Sequence, residues 1–425
     1  MQPQIREPQP ASGPPLGRAS SGVSRQQQQP SPTLIAETGR GGHRHLHIRF
    51  LFQFILDTEP ELAQRTWFYA TPEVGDAAAQ ALKGAARELF RSRLITALPS
   101  AGRRGLNQTL AVARSVKAGH ILFLEVDQFI YALITRRLPL EVSGVWFRPS
   151  YHYSSAGLMH EGIGQKLTGY LKEAAARMLC GKRSIARLFV FDPWAAEYAA
   201  RKFSSSKIQF VPDPLAFPTA SDPCPPPKHQ ERSTFTIVGS ISKRKGILSV
   251  LAALNHLCPE EQRKVEIRIV GRTIDCERRE LAEAIQKARA TTAATVVQVD
   301  AFVSDEEIDL EIIRAKVLLL TYQRFIGSSG LLIRAALYGR PVLATRYGLL
   351  GGLVKRHNLG LVVDPFSEKE LAAAMALAAN GAQFPYDTAG AQAFAASHSP
   401  EVYLRQLTSV IAGRRVETGH RGPDL

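Results

Sequence analysis

"TFTIVGSISKRKGILSVLAALNHL", residues 234–257, decides the fold. A run of apolar and β-branched residues ends at Gly239, and an apolar helical pattern begins near Lys245 and Gly246. A short continuous strand, a turn and a helix make one βα unit, the element from which parallel sheets are built. The stretches that follow repeat the unit. "VEIRIVG", "TVVQVD", "KVLLLT", "PVLAT" and "GLVVD" read as strands, and "ERRELAEAIQKARA", "SDEEIDLEIIRA" and "SEKELAAAMALAA" as the helices between and after them. Ser304 with Glu307 three residues on predicts a capping box that opens one of these helices. Residues 233–380 are therefore predicted to be a doubly wound α/β domain.

The same alternation, less regular, runs over residues 46–212. Predicted strands are "IRFLFQFI", "TWFYA", "ILFLEV", "GVWFR", "RLFVF" and "IQFVP", and predicted helices include "AAAQALKGAARELFRSRLI" and "GQKLTGYLKEAAARML". In the second helix Leu167, Tyr170, Leu171, Ala174, Met178 and Leu179 recur at helical spacing as a core stripe. Residues 213–232 hold six prolines in twenty positions and read as an interdomain linker. Residues 1–45, rich in Pro, Gln, Gly and Ser, are expected to be disordered, and 416–425 is a C-terminal tail. The segment 381–415 ends in the helix "SPEVYLRQLTSVIAG", which is free to cross back onto the first domain, although periodicity alone does not establish this.

Composition narrows the function. The net charge of +15 raises nucleic acid or an anionic membrane surface as partners. No finger, basic zipper or aromatic RNA-binding pattern accompanies the arginines, so nucleic acid is not expected. Cys180, Cys224, Cys258 and Cys276 form no CxxC pair and read as reduced, mostly buried thiols of a cytoplasmic protein. "HILFLEVDQFIYALI" is the most apolar stretch, but Glu125 and Asp127 interrupt it, so no membrane-spanning helix is predicted. His43, His45 and His47 in "HRHLH" are read as a solvated tail edge rather than a metal site.

In doubly wound sheets ligands bind beyond the carboxyl ends of the strands. Two loops of the second half stand there. In "VGSISKRKGI" Gly239 permits close backbone approach, Ser240 follows it, and Lys243, Arg244 and Lys245 bring cations to a helix start. In "FIGSSGLLIRAALYGRPVLAT" Gly327, Ser328, Ser329 and Gly330 form a small-residue turn ahead of a helix whose first residues include Leu331. An ordinary basic turn and a plain serine-capped helix are the competing readings. Two helix starts suited to anions in one domain point to a diphosphate. Arg334, one turn into the second helix, is poorly placed for the dipole unless an anion or a carboxylate stands close.

These loops, with "EIRIVG", "YGLLGGLV" and "NLGLVVDPFSEKELAAAM" in the same order and spacing, carry a resemblance. The second half resembles the nucleotide-sugar domain of retaining GT-B glycosyltransferases of the family-4 type, the glycosyl transferases group 1. The first half resembles them in its alternation and in "VPDP" at its end. The resemblance implies two Rossmann-like domains facing across a cleft, with the donor nucleotide sugar in the second and the acceptor in the first. It implies no cofactor or metal, a nucleotide-diphosphate sugar as donor substrate, and an acceptor of glycan, lipid or small-molecule type. The family's diphosphate-binding lysine falls on Lys245, and its arginine partner falls on Ser240 and is lost, with Lys243 or Arg244 as replacements. The two glutamates of the family's E-x7-E motif fall on Ile326 and Arg334, so the usual sugar and ribose contacts are missing. Arg334 is then either a diphosphate ligand or the partner of a local carboxylate.

Three further candidates lie in the first half. Glu125 and Asp127 form an acid-x-acid pair that would hold a divalent metal, against the reading of a surface turn at a strand end. His152 and His160 follow a strand, where an acceptor-side base would stand, and Asp192 ends another. The expected activity is metal-independent sugar transfer with retention, in a cytoplasmic protein whose basic surface permits contact with a membrane. A nucleotide-sugar-binding GT-B scaffold without activity is the alternative.

Overall fold

Parallel strands buried on both faces need apolar side chains pointing both ways, and the short runs of this chain supply them. The computed structural model of the protein describes residues 31–39, 44–153, 163–214, 232–382 and 384–414, the side chains of 163–168 excepted. The first domain runs β1 (Thr33–Glu37), α1 (Arg44–Thr58), α2 (Pro60–Gln64), β2 (Thr66–Ala70), α3 (Pro72–Ala81), α4 (Gly84–Arg93), β3 (Leu94–Thr96), α5 (Gly102–Ser115), β4 (His120–Phe123), α6 (Ile130–Thr135), β5 (Glu141–Trp146), α7 (Ile163–Gly181), β6 (Ile185–Val190), α8 (Pro193–Phe203) and β7 (Ile208–Phe210). The second runs β8 (Ser233–Val238), α9 (Ile247–Ala253), α10 (Pro259–Arg263), β9 (Val265–Val270), α11 (Arg278–Thr291), β10 (Thr295–Val299), α12 (Asp305–Arg314), β11 (Val317–Leu320), α13 (Gly330–Leu337), β12 (Val342–Thr345), α14 (Gly348–Arg356), β13 (Gly360–Val363) and α15 (Glu368–Ala379). Two helices close the chain, α16 (Thr388–Ser397) and α17 (Pro400–Ile411).

Strand order is β3-β2-β1-β4-β5-β6-β7 in one sheet and β10-β9-β8-β11-β12-β13 in the other, and every pairing is parallel. Both orders turn outward from a central pair, β1 with β4 and β8 with β11. That reversal opens a crevice at the carboxyl ends of the strands. The alternation of side chains shows in β11, where Val317 and Leu319 join the core on one face and Leu318 and Leu320 the core on the other. The predicted capping box forms, with Ser304 Oγ accepting from Glu307 N and Glu307 Oε2 from Ser304 N.

The last helix does cross back. Tyr403, Leu404, Leu407, Val410 and Ile411 of α17 pack with Ile35, Phe52 and Phe68 of the first domain. The two halves are thus joined by the linker going out and by α17 coming home.

Four expectations fail for identifiable reasons. "IRFLFQFI" is not a strand but the middle of α1, whose buried Ile48, Leu51, Phe52 and Ile55 follow helical spacing. The real first strand, "TLIAE", lies inside the span expected to be disordered up to residue 45, and its five residues are all buried in mid-sheet. "AAAQALKGAARELFRSRLI" is α3, α4 and strand β3, broken at Gly84 with φ +50°. In α7 the core face is Ala175, Ala176 and Leu179, while Tyr170, Leu171, Ala174 and Met178 are exposed. Residues 215–231 of the linker, the first thirty residues and 415–425 lie outside the described residues.

Candidate functional site

A crevice of about 700 Å³ opens between the sheets. Its second-domain wall is Arg244, Arg324, Phe325, Ile326, Gly327 and Ser328. Its first-domain wall includes Glu37, Arg44, His47, Glu125, Arg148 and Asp213.

The second-domain wall is built by stitching two loops together. After β8 the chain turns at Gly239 (φ +93°) into a single helical turn, Lys243–Lys245, and leaves it at Gly246 (φ +74°). A Cβ on Gly246 would lie 2.2 Å from the Thr321 carbonyl oxygen, so only glycine fits there. That closeness lets Thr321 Oγ1 donate to the Lys245 carbonyl at 2.9 Å and Gln323 N to the Arg244 carbonyl at 2.7 Å. The loop after β11 is thereby fixed against the basic turn. Tyr322 stands at the junction, with the Lys245 ammonium 5.5 Å from its ring and its hydroxyl 3.4 Å from Ser329 Oγ. The Arg244 guanidinium lies 5.5 Å from the Tyr322 ring and 5.2 Å from that of Phe325.

Several arginines elsewhere in the domain are neutralised by carboxylates, and among the described residues those of this wall are not. Arg268, Arg278, Arg314, Arg334 and Arg346 all pair with carboxylates. Among the described residues no carboxylate pairs with Arg244, Lys245 or Arg324. Lys245 is only 5% exposed, and its ammonium donates to the Val238 carbonyl at 2.5 Å. Arg244 and Arg324 thus face the crevice with no carboxylate partner among the described residues, and Lys245 lies just behind them. Ser329 occupies the cap position of α13 but makes no side-chain cap bond, so the plain serine-capped helix is not what forms.

Several predicted residues stand elsewhere. Lys243 is turned outward, its ammonium on Glu280 and its backbone N–H on Glu277 Oε2 at 2.6 Å, so it does not serve the crevice mouth. Ser240 is exposed, and Gly330 and Leu331 open α13 beside the turn. Lys245 lies behind the wall rather than in it; Arg244 is the residue of that turn presented to the crevice. Arg334 is 5% exposed and held by α12, with Nη2 on Asp305 Oδ1 at 2.6 Å and Nη1 on Asp309 Oδ1 at 2.9 Å. It is not a crevice residue, and the local-carboxylate alternative is the one realised. The dipole argument also lapses, because α13 has only eight residues and Arg334 is in its last turn.

The first-domain wall is a chain of ion pairs. Arg44 reaches Glu37 at 2.7 Å and also binds Glu125, and Arg148 stands 3.7 Å from Glu125. Burial pushes the Glu37 carboxyl up, against the pull of Arg44. Asp127 accepts the backbone N–H groups of Phe147 (2.8 Å) and Arg148 (3.0 Å), and burial pushes it up to about 6. Glu125 and Asp127 are therefore neither a surface turn nor a shared metal pair: Glu125 answers arginines, and Asp127 answers backbone and, at 3.8 Å, Arg148. No group of three or more His, Cys, Asp or Glu suited to a metal occurs among the described residues. His47 is part of the crevice, its Nδ1 3.3 Å from Tyr403 Oη, not a tail edge. His152 is 1% exposed, 3.2 Å from Asp192 Oδ2, and cannot reach an acceptor from there. His43, His160 and Cys224 lie outside the described residues, and Cys258 and Cys276 are exposed rather than buried.

Sequence reading missed Arg324, Tyr322 and Asp213. Arg324 had a signal, since it sits in the loop after a strand that ends at the crevice; its φ of +52° and the pairing of Asp213 with Ser328 did not.

The architecture is GT-B, two Rossmann-like parallel-sheet domains on either side of a crevice. The chain superposes on the lipopolysaccharide outer core galactosyltransferase WaaB with a TM-score of 0.59 at 14% identity, over 90% of this chain and 99% of that one. It superposes on sucrose-phosphate synthase from Thermosynechococcus elongatus with a TM-score of 0.58 at 15% identity, covering 90% and 98%. Anabaena HepE, solved in complex with UDP, gives 0.55 at 15% identity, covering 90% and 100%. Residues 223–387 match the family model described as Glycosyl transferases group 1. A comparison with curated proteins gives no match.

Proposed function

We propose that the protein is a glycosyltransferase that moves a sugar from a nucleoside-diphosphate donor to an acceptor hydroxyl in the crevice, with retention and without a metal. The observation that carries the reading is the group of uncompensated cations, Arg244, Lys245 and Arg324, beside the 327–329 turn at the carboxyl ends of the second sheet. The family match over residues 223–387 and the GT-B neighbours, one of them holding UDP, support it.

In this reading the second domain takes the diphosphate. Arg244 and Arg324 neutralise it, and the turn offers backbone N–H groups, so charge building on the departing oxygen as the sugar–phosphate bond breaks meets fixed positive groups. Arg244 replaces the arginine missing at Ser240. The crevice carboxylates Glu37 and Glu125 are tied to Arg44. In this reading the acceptor proton passes to the departing diphosphate oxygen. The acceptor, a glycan, a lipid-linked sugar or a small molecule, stands against the first-domain wall. No helix among the described residues is long and apolar enough to cross a membrane. In this reading a lipid-linked acceptor is met peripherally, from the cytoplasm.

One observation favours a second reading, a nucleotide-sugar-binding protein without activity. Position 334, where the related enzymes carry a ribose-binding glutamate, is committed to Asp305 and Asp309. The test is to incubate the protein with UDP-, GDP- and ADP-sugars and follow free nucleoside diphosphate over time, beside calorimetric binding. Release of nucleotide supports the transferase; binding with no release supports the scaffold; neither one removes both.

A further inference from the structure

The turn that faces the crevice is shaped from outside its own domain. Within the second domain its ends are anchored, by Tyr322 Oη at 3.4 Å from Ser329 Oγ and by Phe325 and Ile326 against Gly348, but Ser329 does not cap α13 and a Cβ on Gly330 would meet nothing within 4 Å. Two groups from the other side of the crevice hold its middle.

The first is Tyr153, in the segment after β5. Its side chain is 1% exposed and packs among the apolar side chains of the second domain rather than its own. Its hydroxyl donates to the Ile326 carbonyl at 2.6 Å and stands beside the Leu349 backbone N–H, in the first turn of α14, and the Asp192 carboxylate of its own domain. The His152 ring packs edge-on against it at 4.6 Å, and His152 in turn leans on Asp192. The second is Asp213, where the first domain ends. It accepts the Ser328 hydroxyl at 2.5 Å.

These bonds fix more than two atoms. A trans peptide is planar, with its C=O and N–H directed oppositely. A carbonyl at Ile326 held towards Tyr153 turns the N–H of Gly327 the other way. Glycine at 327 imposes no conformation of its own, so the external bonds decide where that N–H points. Trp194 backs the arrangement: its ring covers α14 so closely that a Cβ on Gly352 would lie 2.8 Å from it.

We infer that Tyr153 and Asp213 are positioning residues for the donor turn, so that its phosphate-facing conformation exists only while the two domains are docked. The inference rests on the reading above that the turn faces a diphosphate. Donor affinity is then coupled to domain docking, because each stabilises the other by the same factor.

The test uses the full chain and the variants Tyr153→Phe, which keeps the buried ring, and Asp213→Ala. Two readouts are taken, hydrogen exchange of peptides spanning 325–332 without ligand, and calorimetric affinity for uridine, guanosine and adenosine diphosphate in turn. Both variants are expected to exchange faster at 325–332 while the strands of the second sheet do not change. Affinity for the nucleotide bound by the native protein is expected to fall about threefold to tenfold, the size of one net hydrogen bond. Unchanged exchange overturns the inference, and so does faster exchange with unchanged affinity. Should Tyr153→Phe fail to fold, Asp213→Ala decides alone. Should the native protein bind none of the three nucleotides, the proposed function falls, while exchange still decides whether the first domain holds the turn.

Discussion

A guanidinium is buried only where carboxylates surround it, and Arg334 meets that condition with Asp305 and Asp309. Arg334→Ala leaves the buried Asp309 carboxylate facing no cation. Denaturant unfolding should show a loss of about 3–5 kcal/mol, while nucleotide affinity measured well below the melting temperature stays within about twofold. Asp213 makes a different prediction. Burial raises its carboxyl from 3.8 to about 6, so between those values the folded protein binds more protons than the unfolded chain. Its contribution to stability therefore falls as pH rises from about 4 to 6 and is flat above. Asp213→Asn, which still accepts from Ser328, should gain on the native protein across that window by about 1–2 kcal/mol, less than the full shift would give because the group is half-buried. Asp127, raised to about 6, and His120, lowered to about 4, titrate there too, but they are common to both proteins and cancel in the difference. Little of this was legible in the sequence. Arg334 could be recognised as anomalous, but its partners are on α12, two elements back in the chain. Lys243, Arg244 and Lys245 are consecutive cations, and only the turn geometry sends the first to Glu280, the second to the crevice and the third under Tyr322.

Among the elements, α17 joins first and last parts of the chain. Leu407 is fully buried against α1 and the first sheet, so Leu407→Ala should cost about 2–5 kcal/mol by chemical denaturation. The loss should appear in the first domain, with hydrogen exchange rising in α1 and β1 before it rises in β8 or β11. The second domain was legible strand by strand, because each apolar run is separated from the next by a patterned helix or a tight turn, as at "VEIRIVG" and "KVLLLT". The first was not. α1 carries four further apolar residues around its buried stripe, so a local window reads as a strand, although 48, 51, 52 and 55 keep helical spacing. β1 is the reverse case: five residues beside a polar, proline-rich tail, whose strand identity comes from pairing with β2 and β4 on either side. The exposed Tyr170 and Met178 on α7 have no explanation in the packing.

At the scale of the whole molecule, the two halves are tied by the linker, by α17 and by the Tyr153 and Trp194 contacts, and they enclose a crevice that we propose to be an anion site. The account depends on that site. Its most direct test is calorimetric titration of uridine, guanosine and adenosine diphosphate into the native protein and into an Arg244→Ala/Arg324→Ala double variant. Each lost charge-assisted contact removes about 1.5–3 kcal/mol, so at least a hundredfold loss of affinity is predicted, with the fold retained and stability lowered only by the Arg244 contacts with the Tyr322 and Phe325 rings, about 0.5–1 kcal/mol each. Native protein that binds none of the three nucleotides, or a double variant that binds as tightly as the native one, would contradict it.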